Sequence, residues 1–339
     1  MRPCKGGKLL QNNSRFKNID VSRFSIFIVL VVFVIISSFL NPNFISSGNI
    51  LNILKQLAVP VLLSFGAMML IISGMIDLSS GSVLALAGVL SVTSYKATGS
   101  LLVAVITGLG VGVLANIVNA VMVVQLNVPA FIATLAMQMM ARGLALYYTD
   151  GQNILQIGSY TVFGQSSVGG LPISVLIILV VTIIIYYIMK HTMLGRSMYA
   201  IGGNEEAAIA SGINVKRNKY LVYIINGLLV GAAGILFMSR VNAGLPNGAV
   251  GYEMEGLTAT IVGGTSFSGG AGTTLGTLIG ALIIGVLNNI MNLTSVNSYI
   301  QQIVKGAIIA FAVIWDIRSK RGRKKVTRKI RGEDKAAGE

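Results

Sequence analysis

The 339-residue chain is 54% hydrophobic and only 11% charged, with 40 glycines, whereas a soluble domain carries roughly 25% charged residues. That balance, with a mean hydropathy of +0.77, excludes an ordinary water-soluble globule and indicates a membrane protein. The net charge of +15 invites a nucleic-acid reading, but six Lys/Arg lie in residues 1–23, five in 190–219 and ten in 318–339, so 21 of 26 sit in three blocks outside the apolar runs. This is positive-inside patterning. The tail RSKRGRKKVTRKIRGEDK is therefore read as a basic segment beside anionic lipid headgroups, in preference to a nucleic-acid site.

Taken in chain order, the first apolar run, 24–40, lacks a small-x-small cleavage site and ends at Asn41-Pro42, so it is read as a retained helix rather than a signal peptide. Further runs follow at 51–76, 79–96, 101–124, 129–149 and 171–190. Helices are expected, because VLVVFVII and VLIILVVTIII are apolar on every face, whereas barrel strands alternate. Six crossings between Arg23 and Lys190 place both flanking basic blocks on the cytoplasmic side. After Lys219 come 220–240, 253–264, 273–292 and 299–317. The piece EMEGLTATIVGG covers only about 18 Å as a helix, too little for a roughly 30 Å hydrocarbon core.

The expected fold is thus an all-α polytopic membrane protein with about ten transmembrane helices, one of them short or half-spanning, and both termini cytoplasmic. Its divisions are a basic N-terminal segment 1–23, one transmembrane domain 24–317 with a cytoplasmic loop 191–219, and a basic tail 318–339. Glycines spaced three to five apart, at 108/112, 227/231/234 and 276/280/285, form small faces suited to close helix packing.

Chemistry-bearing residues are sparse. Cys4 has no second cysteine with which to form an intrachain disulfide, and the single histidine, His191, has no partners to complete a metal site and is read as interfacial. IVGGTSFSGGAGTTLG has no Lys placed to reach phosphates, and it is read as a tight turn between short helices. An intramembrane protease needs a Ser with His or Lys, or paired aspartates, and neither is evident. Ionisable residues at depth are Lys55, Asp77, Lys96, Arg142, Glu253, Glu255 and Lys305. Arg142 lies either at the outer interface, snorkelling, or against a watery interior. Asp77, Arg142 and Glu253 are the candidate pathway or packing residues. Asp77, Glu253 and Glu255 keep open an ion-coupled secondary transporter.

The segment GGNEEAAIASGINV, 202–215, differs from everything around it. Asn204 is placed to cap a helix start, Glu205 and Glu206 put negative charge on its first turn, and Gly212 is placed to close it. About two turns with a smooth surface of Ala207, Ala208, Ile209 and Ala210 would be marginal alone, and they lack the basic and bulky faces of a lipid-surface helix. A protein groove suits them better.

Glu206-Ala207-Ala208, three residues and Gly212 resemble the EAA-x3-G loop of ABC importer permeases. YAIGGNEEAAIASGINV (199–215) is similar to that loop in ribose-type sugar permeases. GMIDLSSGS (74–82) resembles their GGIDLSVGS signature, and PAFIATLAMQMMARGLAL (129–146) and GYEMEGLTATIVGGTSFSGGAGTTLGTLIGALIIGVLNN (251–289) match two further segments in family order. Met75 stands where a Gly is customary, and the longer EAA hallmark is absent.

The resemblance, spanning roughly 24–317, implies the membrane subunit of an ATP-driven importer for a monosaccharide such as ribose. It implies a bacterial plasma-membrane location and no catalytic, metal or cofactor site in this chain, with ATP and Mg held by a partner ATP-binding subunit. An extracytoplasmic sugar-binding protein and a second permease, as a homodimer or a heteropair, are the other expected partners. Coupling to the ATPase falls to Gly202, Gly203, Asn204, Glu205, Glu206, Ala207, Ala208 and Gly212, flanked by Arg196 and the basic cluster 216–219.

Overall fold

The computed structural model describes residues 21–314, with 316 and 318. The basic stretches 1–20 and 319–339, and Cys4, lie outside the described residues. The long helices are α1 Val21–Leu40, α2 Ser47–Ile72, α3 Ser80–Thr98, α4 Leu101–Ala120, α5 Ala130–Tyr148, then a one-turn α6 Val162–Gln165 and α7 Ile173–His191. They continue with α8 Met193–Gly203, α9 Glu205–Ala210, α10 Val215–Val241, α11 Tyr252–Val262, α12 Thr274–Leu293 and α13 Ser298–Ile314. Among them, α2, α4, α5, α7, α10 and α12 are long and apolar enough to cross a membrane. The 253–264 piece is the eleven-residue α11, about 16 Å long.

Strands are minimal. β1 Ile154–Leu155 pairs antiparallel with β4 Ala243–Gly244, and β2 Ser167–Val168 pairs with β3 Leu171–Pro172. They organise the connections at the end of the bundle opposite α9, where Tyr160 and Ser91 share a 2.8 Å hydrogen bond and Ser239 donates to the Tyr160 carbonyl.

Burial divides the helices into two layers. α2, α3 and α10 are buried along most of their length, while α4, α5 and α7 turn Leu102, Ile106, Leu114, Phe131, Met139, Leu144, Val180 and Ile183 outward. An outer apolar surface of this extent is the arrangement a hydrocarbon solvent requires. Inside, no hydrophobic effect holds helix to helix in lipid, so close approach and dispersion must. The glycine faces provide the approach. A Cβ on Gly227 would lie 2.6 Å from the Gly112 carbonyl oxygen, and one on Gly231 would lie 2.6 Å from that of Gly108. α4 and α10 therefore touch backbone to backbone. Gly234 makes the same approach to the Leu84 carbonyl of α3, and Gly280 and Gly276 of α12 lie against the backbone of Ala259 and Gly263 at the end of α11. Pro60 interrupts the buried stretch of α2. It cannot donate to the Gln56 carbonyl, and Ser64 Oγ donates to the Pro60 carbonyl at 2.6 Å.

Candidate functional site: a sealed carboxylate and an exposed helix at one end of the bundle

α9 forms as its sequence dictates. Asn204 leaves the helical conformation, with φ −161° and ψ 106°, and its side-chain oxygen accepts from Ala207 N at 3.0 Å. Gly212 closes the segment at φ +79°, a conformation costly for any residue with a Cβ. Ala208 is the inward residue and packs with Ile201 of α8 and Val215 of α10. Lys219, one turn into α10, donates to both Glu205 oxygens at 2.8 and 2.9 Å. Glu206, Ala207, Ile209 and Ala210 remain outward and exposed. The flanking Lys216 and Arg217 are exposed, as is Arg196, which donates to the Met193 sulfur. His191 stacks on Tyr187 with ring centroids 5.5 Å apart.

Below α9 three backbones converge. A Cβ on Gly202 would collide with the Ile72 carbonyl at the end of α2 and fall 2.7 Å from Gly270 N. Gly270 N in turn donates to that same Ile72 carbonyl at 3.0 Å. Gly269 and Gly270, at φ +82° and +69°, belong to the turn 264–273, whose Ser266 hydroxyl and Phe267 N–H donate to Asp316. Tyr199 of α8 donates to the Gly272 carbonyl at 2.9 Å. The glycine-rich turn is thus the seat of the α8–α9 elbow, meeting it backbone to backbone at Gly202, Gly269 and Gly270 and through the Tyr199 hydroxyl.

Five residues beyond Ile72, Asp77 is 3% exposed. Its Oδ1 accepts from Ser79 N at 2.7 Å and Ser79 Oγ at 2.6 Å, and its Oδ2 accepts from Ser80 Oγ at 2.8 Å and Asn226 Nδ2 at 2.7 Å. Asn226 also donates to Asn116 Oδ1 at 2.8 Å, and Asn119 donates to Ser79 Oγ at 3.0 Å. The carboxylate so ties the start of α3 to α10, and Asn116 and Asn119 bring α4 into the same network through Asn226 and Ser79. A buried carboxylate is costly unless its lone pairs are filled, and here four donors fill them. Asn116, Asn119 and Asn226 were not singled out from sequence. Their signal was present, because amides three residues apart in an otherwise apolar span have to find partners inside the bundle.

The other depth candidates serve a different place. Arg142 of α5 donates to the carbonyls of Pro246 and Gly248 at 2.6 and 2.8 Å, so its guanidinium holds the 245–251 loop that leads into α11. Gln138, one turn earlier, donates to Glu253 Oε1 at 3.3 Å, and Gly81 leaves room for the other Glu253 oxygen. The structure brings Arg142 and Glu253 together around that loop but leaves Asp77 with its own donors. Glu255 pairs with Lys305 of α13. Among the described residues no cluster of His, Cys, Asp or Glu is arranged to hold a metal ion.

A bundle with a lipid-facing apolar exterior, no catalytic constellation among the described residues and a capped helix projecting from one end is a multi-pass integral membrane protein. Residues 49–313 match the family described as branched-chain amino acid transport system / permease component, and the chain belongs to this family, on its ribose-type ABC permease branch. It is 40% identical over 308 residues to the ribose import permease protein of Haemophilus influenzae, covering 88% of this chain and 95% of the relative. It is 42% identical over 294 residues to that of Escherichia coli K12 (85% and 92% covered) and 41% over 293 residues to that of Bacillus subtilis 168 (86% and 91%). No solved structure matches the chain. The protein is accordingly a transport permease of the bacterial plasma membrane and not an enzyme.

Proposed function

We propose that the chain forms the transmembrane pathway of an importer for a pentose such as ribose, driven by a separate ATPase and fed by an extracytoplasmic sugar-binding protein. Ten helices cross or enter the bilayer, with α9 and both termini on the cytoplasmic side and two copies of the permease side by side. The chain itself holds no cofactor, and ATP and Mg reside on the partner ATPase. The exposed surface of α9, with Glu206 and Ile209 outward, is the docking element.

One observation carries this reading. α9 is too short to be stable alone, yet it is capped, closed and seated through Gly202 against the end of α2 and the 264–273 turn, while its outer face stays uncovered. A load applied to that face reaches α2, and through the Ile72–Asp77 segment it reaches α3 and α10. The similarity to three ribose permeases supports the choice of sugar.

The test is reconstitution of the chain with its cognate ATPase and binding protein in vesicles. Ribose-loaded binding protein should raise ATP hydrolysis and drive labelled ribose across the membrane. Accumulation driven by an ion gradient with no ATPase present would overturn the reading in favour of secondary transport.

A further inference from the structure

A cavity of about 510 Å³ opens between α2, α11, α12 and α13, in the half of the bundle away from α9. Its wall contains Gln56, Asn288, Gln302, Glu255 and Lys305, with the hydrocarbon surfaces of Leu57, Pro60 and Ile309 between them. The volume falls in the range of small-molecule sites, roughly 300–1,000 Å³. The polar groups are not all satisfied by each other. Lys305 Nζ and Asn288 Nδ2 both donate to Glu255 Oε1, which leaves Glu255 Oε2 without a hydrogen bond among the described residues. Asn288 Oδ1 is enclosed and has no partner either. At the rim, Arg240 is engaged, donating to the Tyr252 hydroxyl at 3.3 Å and lying 5.8 Å from the centre of the Phe237 ring.

We propose that this cavity is a transit subsite for an uncharged polyol, in which Glu255 Oε2 accepts from sugar hydroxyls and Lys305 donates to them. The proposal rests on the importer reading above and names where in this chain the sugar is held. Hydroxyl groups both donate and accept, so one small solute satisfies acceptors and donors that the protein leaves facing a common space. Apolar patches between the polar groups suit the C–H faces of a sugar ring. The Glu255 carboxylate disfavours an anionic solute, and the ion pair removes any strong attraction for a cation.

The experiment uses the full-length permease bound to its ATPase, without binding protein, carrying Gln302→Cys in a Cys4→Ser background. Labelling by a charged, membrane-impermeant maleimide is timed against added D-ribose. The expected result is saturable slowing of labelling, with the half-protecting concentration raised about tenfold by Glu255→Gln with Lys305→Met, as the loss of charged hydrogen bonds implies. Gluconate at equal concentration should protect less. Should the double variant fail to assemble, Glu255→Gln alone removes the charged acceptor and gives the same readout. Absence of saturable slowing, or equal slowing by trimethylamine N-oxide, overturns the subsite.

ATP-driven ribose uptake by the same Gln302→Cys permease, with binding protein restored, separates the two readings. Uptake without protection overturns the subsite alone. A wild-type complex that transports no ribose, together with no protection in the cysteine variant, overturns both.

Discussion

Asp77 and Glu206 are acidic residues at the same end of the bundle, and they could hardly be treated more differently. Asp77 is enclosed and receives four hydrogen bonds from protein donors at the start of α3 and on α10. Glu206 projects from α9 into the open. A short chain of backbone contacts, Gly202 to Ile72 and then five residues to Asp77, separates them. A carboxylate whose every lone pair is filled by its own chain has nothing left for a solute and acts as a fastener. One that the fold leaves bare at a capped helix start is available to a partner. This comparison moves Asp77 away from the ion-coupling role its membrane depth first suggested.

The widest break in that comparison should come from Asp77→Leu. It strands Ser79 N, both serine hydroxyls and one Asn226 hydrogen in a dry interior, at a cost of about 3 kcal/mol or more. A sharp fall in folded yield and thermal stability in detergent is expected, and wild-type melting with full transport would make the fastener role untenable.

Gly202→Ala comes next. Its methyl group meets the Ile72 carbonyl, so the α8–α9 elbow must lift from its seat. Retained assembly with at least a tenfold loss of sugar-stimulated hydrolysis is the expected outcome, a factor equal to about 1.4 kcal/mol of lost coupling. Unaltered stimulation would show that the contact transmits nothing.

Glu206→Lys should leave melting unchanged, because nothing in the structure leans on that side chain, while reversing the charge where the helix dipole favours a negative one. Its prediction is selective: normal folding, weakened ATPase binding in a pull-down and uncoupled uptake. Full uptake with normal ATPase assembly would count against docking at α9.

The smallest effect belongs to Lys219→Met, which removes a partly exposed ion pair to Glu205 worth about 0–1 kcal/mol. Any change should fade as salt is raised in a thermal melt. A larger, salt-independent loss would mean that Lys219 does more than steady α9.

Much of the architecture could be read in advance, for a simple reason. Apolar run length is a local property, and six of the anticipated runs are helices long and apolar enough to cross a membrane, with shorter apolar helices at Ile26–Leu40 and Ser298–Ile314 and the short α11 at the 253–264 piece. α9 was legible for the same reason, since Asn204 and Gly212 act on their own neighbours. α8 was not. It was read only as part of the 191–219 loop, although Thr192 caps it and Met198 and Ile201 form its buried face. The glycine faces were visible as patterns, but that α4 lies on α10 is a fact of three dimensions. Asn226 and Asp77 are 149 positions apart, and no spacing rule connects them. The two-residue strands had no alternating run long enough to register.

Where Gly202 meets Ile72 and Gly270, the touching atoms are main-chain carbonyls, amides and α-carbons. A joint made of side chains has slack, because each torsion has alternative staggered wells into which a small push is dissipated. This one has no such torsions and so almost no backlash. If α9 is the docking element, a push on it would meet little give at this one contact, while the Tyr199 hydroxyl bonded to Gly272 holds the elbow in register beside it.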